Sequence, residues 1–575
     1  MDAQDRMTVQ GGGGQFSPAG VVMLREADGW ASCEVPGGRA WFKGYVFADG
    51  ELREGAVAAL SLAASLPGPD DSSALAEALR DVDGQYGFAV QRGGEVLAVA
   101  DRTRSIPLAW GRGPRGWVLD SRARALAAAI APCDPDSQAG LELAMSGYTL
   151  GQDTLLAQVR QLQAGEAVVL AGDQARPLRY YLYRAWDPED ALSPERWVEE
   201  LEAVTRGVAD KLVRSLDGRR AMVPLSAGLD SRLVASGLKQ AGYDNVQLYA
   251  YGIPGNYEAA ASRDLAERLG YSWTFIPYSR HAARDLALSR EFGAYLDFAD
   301  TLSNLPFVQD FLAVRQLRDS RMAPPDAVFV NGNSGDFISG GHIQPRMHEP
   351  RPGLARDAQR DLVVETALDK HFDIWRDLGI PANRERVGAR LAAMFEARAP
   401  QGLRPEGLHG VYECLEWESR QSKFVVGGQR VYEHLGFAWR LPLWDNDYLD
   451  FWARVPLAEK VGQGLYRRFL QAADWGGVWR NFPVRRYTSP AWARVARGAL
   501  RLALRPLGEA AWKTLDRRLF TYFTDILCTH AMVPVSWAEL ALDRRGFRHS
   551  MAWRCAAYLR DRGLGPDGAP VGGKP

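Results

Sequence analysis

The sequence predicts an α/β protein in two parts: a sheet-rich, layered N-terminal part, and a C-terminal part built on a parallel sheet and ending in helices. Three observations carry this. From about 20 to 185 the chain shows short apolar runs punctuated by Gly and Pro, such as 84–90, 95–100 and 116–119, at hairpin spacing. From about 190 the pattern becomes strand, helix, strand: 221–225, 229–240, 246–251, 257–269 and 274–277 alternate, as in parallel strands covered by helices on both faces. A loop of small residues joins the first of those strands directly to its helix.

Composition sets the outer limits. A chain of 575 residues is long enough for two to four domains. Apolar residues at 46% and charged residues at 24% are ordinary for globular proteins. Lys plus Arg (69) balances Asp plus Glu (70), which excludes a globally basic nucleic-acid binder. Cys33, Cys133, Cys414, Cys528 and Cys555 are scattered without a CxxC pair. That argues against a disulfide framework, a zinc ribbon or a thiol-based sulfur carrier, and fits a reducing compartment. The eight histidines form no HExxH or His/Cys cluster, so no zinc site is expected, and His342 is read as structural. No signal peptide and no apolar stretch of transmembrane length is visible, so the expectation is a soluble cytoplasmic protein.

Taken in order, residues 1–19 read as a disordered leader, because Gly11 to Gly14 cannot fix a backbone cheaply. Residues 20–185 form the sheet-rich domain, and a boundary follows near 187–194. Ser193 caps the next helix, Pro194 takes its first position and Glu195 favours its positive end. Trp197, Leu201, Val204, Val208 and Leu212 then make one helical stripe. The parallel-sheet domain spans 190–475 and includes a further short strand at 327–330; the rest, 476–575, is a basic helical extension.

The most informative segment is Pro224-Leu225-Ser226-Ala227-Gly228-Leu229-Asp230-Ser231. Small residues let backbone amides approach an anion, and the new helix aims its unpaired N–H groups and positive dipole end at the same spot. Ser226 and Ser231 add hydroxyl donors, and Asp230 beside a phosphate makes sense as a magnesium ligand. In an open parallel sheet this is the expected ligand crevice. The same residues would also serve a plain strand-to-helix turn. The loop is neither GxxxxGKS/T nor GxGxxG.

Ser-x-Gly-x-Asp-Ser after a strand resembles the pyrophosphate loop of N-type ATP pyrophosphatases, and the chain is similar within that group to the asparagine synthetase family. Three further segments carry the resemblance in order: 251–255 followed by 258–270; Gly332-Asn333-Ser334-Gly335-Asp336-Phe337-Ile338-Ser339-Gly340-Gly341; and Arg430, Arg440, Pro442 and Asp445. The resemblance implies a glutaminase-like (Ntn-type) αββα domain over 20–185 and an adenine nucleotide α-hydrolase-like domain after it. It implies ATP and Mg2+ as cofactors, with Asp230 and Asp336 on the metal. Leu225, Ser226, Gly228, Ser231, Tyr251, Asn331 and Gly332 would hold the nucleotide, and Asn333 and Arg467 would occupy catalytic positions.

The chain also departs from that family. Glutamine-dependent members begin with a catalytic cysteine, whereas this chain begins Met1-Asp2, Cys33 is internal, and Lys43-Gly44-Tyr45 stands in place of the glutamine-binding Asn-Gly-Glu. The implied first domain has the fold without the glutaminase chemistry. Asn333 replaces a glutamate and is no general base; Arg467 replaces a lysine and keeps the charge without giving up a proton. Ala227 replaces a loop glycine, which its methyl allows only at negative φ.

The expected activity is an AMP-forming ligase joining a carboxylate to ammonia or a substrate amine. Among related groups, those found with bacterial surface-polysaccharide biosynthesis resemble the loop and Leu441-Pro442-Leu443-Trp444-Asp445 most. The rivals are a glutamine-hydrolysing asparagine synthase, a lasso peptide cyclase and a non-catalytic ATP-binding scaffold. Nucleic acid is not an expected partner.

Segment 480–518 carries ten Arg or Lys against Glu509 and Asp516. Arg494, Arg497 and Arg501 share one helical face; Trp492, Val495, Ala499 and Leu502 share another. The plain reading is a helix packed on its domain with the arginines in water; the alternatives are a peripheral contact with an anionic membrane or the reception of an acidic partner.

Overall fold

The structure is a computed structural model that describes residues 21–189, 192–480, 491–533 and 535–570. The expected leader, residues 481–490 of the basic segment and the last five residues lie outside the described residues.

The N-terminal strands are β1 (Val21–Val22), β2 (Ala31–Val35), β3 (Gly38–Ala48), β4 (Glu51–Glu54), β5 (Asp83–Arg92), β6 (Glu95–Ala100), β7 (Ala109–Gly113), β8 (Gly116–Asp120), β9 (Val159–Gln161), β10 (Glu166–Ala171) and β11 (Gln174–Arg179). They form two sheets, β11-β10-β6-β5-β3-β2 with β4 beside β3, and β1-β8-β7-β9. Residue alternation assigns the layers. Phe42, Phe88, Leu97 and Val99 face outward and bury Ala59 and Leu62 of helix Gly55–Ser65 and Leu75 and Leu79 of helix Ser72–Arg80. Their neighbours Trp41, Ala89, Val96 and Ala98 face inward, in one core with Trp110, Trp117 and Leu119 of the second sheet. Helix Ala123–Ile130 covers that sheet's far side through Leu126 and Ile130. Strands buried on both faces read as continuous apolar runs, and the resulting order is the expected αββα.

The second half opens with helix Pro194–Leu216, where the Arg196 N–H donates to Ser193 Oγ at 3.4 Å. Trp197, Leu201, Val208 and Leu212 are buried, and Val204 packs beside them. Then come β12 (Ala221–Pro224), β13 (Val246–Gly252), β14 (Ser272–Pro277), β15 (Val328–Val330) and β16 (Ala438–Arg440), all parallel, in the order β14-β13-β12-β15-β16. The order reverses between β12 and β15, and the crevice beyond their C-terminal ends is where such sheets take ligands. The expected strand at 327–330 is β15. β16, only three residues long, gave no sequence signal; it supplies the fifth strand.

The halves are joined by buried polar contacts. Gln85 Nε2 donates to the Leu441 carbonyl at 2.8 Å, and Lys423 Nζ donates to the Thr149 and Gly151 carbonyls, each at 2.7 Å. Arg440 lies 4.1 Å from the centroid of the Tyr45 ring and donates to Ser215 and Glu54. Its family-like spacing therefore serves the joint and not the crevice. Arg430 likewise turns to Glu433 and the Phe298 carbonyl, and Asp445 caps helix Asn446–Arg454 and pairs with Lys211.

The C-terminal segment is part of this body. The Ile253 N–H donates to the Ile526 carbonyl at 2.8 Å, extending the β13 loop onto it. Helix Ala491–Ala503 packs on its neighbour with Arg494 and Arg501 exposed, while Arg497 pairs with Asp516 and Trp492, Val495 and Leu502 are exposed as well.

Candidate functional site

Helix Leu229–Gln240 begins directly at the end of the β12 loop. Its N-cap, Gly228, makes no side-chain cap hydrogen bond. The first N–H groups of the helix therefore keep their capacity for an anion. The loop is braced from within. The Ser226 N–H donates to Ser231 Oγ at 3.1 Å, the two serine hydroxyls lie 3.0 Å apart, and the Gly228 N–H donates to Ser226 Oγ at 3.1 Å. Ala227 is buried and is not among the residues with positive φ, so its methyl is tolerated.

The loop after β15 lies against this one. A Cβ on Gly332 would come within 2.9 Å of the Asp230 backbone, and one on Gly335 within 2.6 Å of the Asp230 carboxylate. The Asp336 N–H donates to Asp230 Oδ2 at 2.9 Å. The sequence resemblance paired these two aspartates, and the structure brings them together, with Tyr466 OH donating to Asp230 Oδ1 at 3.2 Å.

The charges at the pair are unbalanced. Burial, reinforced by the Asp336 charge, raises the Asp230 carboxyl to about 7. Asp336 is exposed at the cleft; partial desolvation opposes its charge, but His342 outweighs that and holds it below the usual range. Among the described residues no group of three or more His, Cys, Asp or Glu could hold a metal ion by itself. Two carboxylates at the mouth of a phosphate-type loop instead fit Mg2+, which keeps waters and shares its shell with substrate phosphates.

A cleft of about 660 Å³ opens here, within the usual range for small-molecule sites. Every candidate residue from the sequence borders it: Leu225, Ser226, Gly228, Asp230, Ser231, Tyr251, Asn331, Gly332, Asn333, Asp336 and Arg467. Tyr251 OH donates to Asp310 and its ring stacks on Tyr278, centroids 5.3 Å apart. Asn331 is held by Tyr432 OH at 2.8 Å and accepts the Asn333 N–H at 3.0 Å. Arg467 is exposed at the rim, its Nε donating to the Gly462 carbonyl at 3.1 Å.

Sequence reasoning missed the layer behind the carboxylate pair. His342, read as structural, lies between Asp336 (Nε2–Oδ2 3.2 Å) and Glu416, which its Nδ1 meets. Burial disfavours the imidazolium, but Glu416 and Asp336 outweigh it and raise His342 to about 9. Glu416 is buried and is also reached by His371 Nε2 at 3.2 Å and Gln421 Nε2 at 2.9 Å. Burial opposes its charge, yet His371 and His342 hold its carboxyl well below the usual range. Glu416 ends helix Leu408–Glu416, and a π-helical stretch, Trp417–Val425, follows and carries Arg420, Gln421 and Phe424 to the cleft. π-Bulges of this kind often sit at functional sites. The only sequence signal was the position of His342, six residues after Asp336. The C-terminal segment adds Thr529, His549, Met551 and Arg554 to the wall, with no motif to mark them.

In the N-terminal domain, Lys43 Nζ donates to Glu433 at 3.0 Å and to the Asp28 carbonyl at 2.7 Å, and Tyr45 OH donates to Gln85 Oε1 at 2.9 Å. Lys43, Tyr45 and Glu433 border a separate cavity of about 710 Å³. Cys33 lies within β2, and burial, reinforced by Glu34, raises its thiol. Burial also pushes Cys528 up to about 11 and Cys555 to about 12, leaving none of the three thiols activated.

No curated protein matches the chain. Among solved structures it is similar to glutamine phosphoribosylpyrophosphate (PRPP) amidotransferase from B. subtilis complexed with ADP and GMP, at 10% identity, over 52% of this chain and 62% of that one, with a TM-score of 0.18. The chain thus spans less than two thirds of that structure's length, and a likeness at this score carries no weight. Residues 207–474 match the family model described as asparagine synthase, a span that contains β12 to β16, both loops, Asp230, Asp336 and Arg467. Residues 207–474, just under half of the chain, are an asparagine synthase domain.

Proposed function

We propose that the chain is an ATP-dependent, AMP-forming ligase that activates a carboxylate and joins it to an amine. The observation that carries this reading is the meeting of Asp230 and Asp336, from two loops at the switch point of the sheet, beside an uncapped helix N-terminus. The loop 225–231 would bind the pyrophosphate part of ATP through backbone N–H groups and the Ser226 and Ser231 hydroxyls. Leu225, Tyr251, Asn331 and Gly332 would border the nucleoside. Asp230 and Asp336 would hold Mg2+, which when bound neutralises charge on the phosphates.

A carboxylate oxygen of the substrate attacks the α-phosphorus and pyrophosphate leaves. The amine then attacks the acyl carbon, AMP leaves, and one proton is lost from the nitrogen. Arg467 at the rim can clamp oxyanion charge as a permanent cation. Asn333 cannot take the proton, so the acceptor half differs from asparagine synthesis. A carboxylate on a surface-polysaccharide sugar, with ammonia or a substrate amine as partner, suits that difference.

Glutamine is not the nitrogen source in this reading. Lys43 and Tyr45 are engaged with Glu433 and Gln85, and Cys33 is a strand residue with a raised thiol. The test is exchange of labelled pyrophosphate into ATP with pooled carboxylates: aspartate, uronic acids, sugar-nucleotide uronates and amino acids. Exchange that depends on one acid and vanishes in Asp230→Ala supports the ligase. Exchange that survives in Asp230→Ala contradicts the assignment of the site.

A further inference from the structure

Helix Ala491–Ala503 rests on helix Glu509–Thr524 through one side only. Ala493 is fully buried, and Arg497 forks onto Asp516 (Nε–Oδ1 2.6 Å, Nη2–Oδ2 2.7 Å). On another side Trp492, Val495 and Leu502 are 52%, 75% and 71% exposed. Their spacing of three and seven residues puts them in one stripe. Arg494 and Arg501, also exposed, fall between that stripe and the packed side, and exposed Arg505 follows the helix.

The exposed apolar surface is concentrated at this end. Of the eleven large apolar side chains exposed among the described residues, six lie within 492–542. Two of them are tryptophans that flank one ring: Trp492 and Trp537 lie 5.4 and 6.2 Å from Phe523, centroid to centroid. Half-exposed indoles beside aliphatic residues are the side chains that favour a membrane–water boundary. The charge is equally local. Residues 491–524 hold seven Arg or Lys and two acidic residues, while the whole chain is at −1. Both acids are already paired, Glu509 with Lys513 at 2.8 Å and Asp516 with Arg497.

An apolar stripe bordered by arginines, lying flat on the protein, matches a surface that is apolar beneath and anionic above. No helix of the described residues is long and apolar enough to cross a membrane, so the contact is with one leaflet. We propose that this end of the molecule docks on an anionic lipid surface. Trp492, Val495 and Leu502 enter the boundary between headgroups and acyl chains, and Arg494, Arg501 and Arg505 meet lipid phosphates. The proposal stands apart from the ligase reading, since none of these residues borders the nucleotide cleft.

The test is co-sedimentation of the full chain with vesicles of phosphatidylcholine alone or with phosphatidylglycerol. Two variants accompany it, Trp492→Ser/Val495→Ser/Leu502→Ser and Arg494→Gln/Arg501→Gln/Arg505→Gln, each checked by thermal melting. The expected result is sedimentation only with phosphatidylglycerol, weakened by salt and reduced about tenfold or more in either variant. Absence of wild-type binding, equal binding to both vesicles, or a folded serine variant that binds like wild type overturns the proposal. Self-association of the wild type that the serine variant abolishes, without vesicle binding, assigns the face to a second copy of the chain and also overturns it.

Discussion

Gly335 and Asp230 touch so closely that a side chain on the glycine is excluded: a Cβ there would stand 2.6 Å from both Cγ and Oδ1 of the aspartate. The contact fixes where the β15 loop places Asp336. Gly335→Ala is therefore expected to push the Asp230 carboxylate aside and weaken Mg-ATP binding at least about tenfold, with a stability loss of about 1–3 kcal/mol for overpacking. Gly207, in helix Pro194–Leu216, has open space around its Cβ position. Gly207→Ala is expected to add about 0.5–1 kcal/mol and leave binding unchanged. Calorimetric titration and urea unfolding of both variants check this; equal effects would mean that the Gly335 contact carries no special role.

The carboxylate pair is arranged for a cation and not for stability. Asp230→Asn removes a buried charge that Asp336 opposes. The variant is expected to melt at or above the wild-type temperature without magnesium, while its pyrophosphate exchange falls about 10²–10³-fold, the scale of losing one electrostatic stabiliser in a site. Melting curves with and without Mg-ATP separate the two effects: the nucleotide raises the wild-type melting temperature and not that of the variant. A strongly destabilised Asp230→Asn would contradict the cation assignment.

Lys423 sets a pH dependence away from the cleft. Burial, helped by the Arg104 charge, lowers its ammonium to about 7 while it donates to the Thr149 and Gly151 carbonyls. Below about 7 both folded and unfolded chains hold this proton. Between about 7 and the ordinary value of 10.5 only the unfolded chain does, so the Lys423 contribution makes stability rise with pH across that window. Urea midpoints at about pH 7 and about pH 9 in wild type and Lys423→Met measure it. The wild type is expected to gain more than the variant; parallel curves would refute the lowered ammonium.

The N-terminal domain is expected to release no glutamate from glutamine, since Lys43 is committed to Glu433 and Cys33 to a strand. A coupled glutamate assay tests this directly. Cys33→Ser is expected to leave ammonia-dependent amide formation unchanged. Glutamate release abolished by Cys33→Ser would restore a glutaminase role to the domain.

The legible parts of the sequence were those where one local rule decides. The 225–231 loop announces itself through small residues between a strand and a helix, and short continuous apolar runs between turn residues made β5, β6 and β8 visible. β16 was not visible, because three residues carry no period and Arg440 is buried through the joint to Ser215 and Glu54. Glu416 and Gln421 were not visible either. They reach His342 from about 75 residues away in sequence, through a π-helical stretch that no spacing rule encodes. The arginine-flanked helix was legible as amphipathic, but which side it packs depends on Asp516 and Phe523 of its neighbour.

Calorimetric titration of Mg-ATP into the wild type, Asp230→Ala and Asp336→Ala tests most directly whether the crevice between β12 and β15 is the nucleotide site. The expected result is binding by the wild type that requires magnesium and is lost in both variants while they remain folded. Absence of binding by the wild type, or binding that either folded variant retains in full, would contradict it.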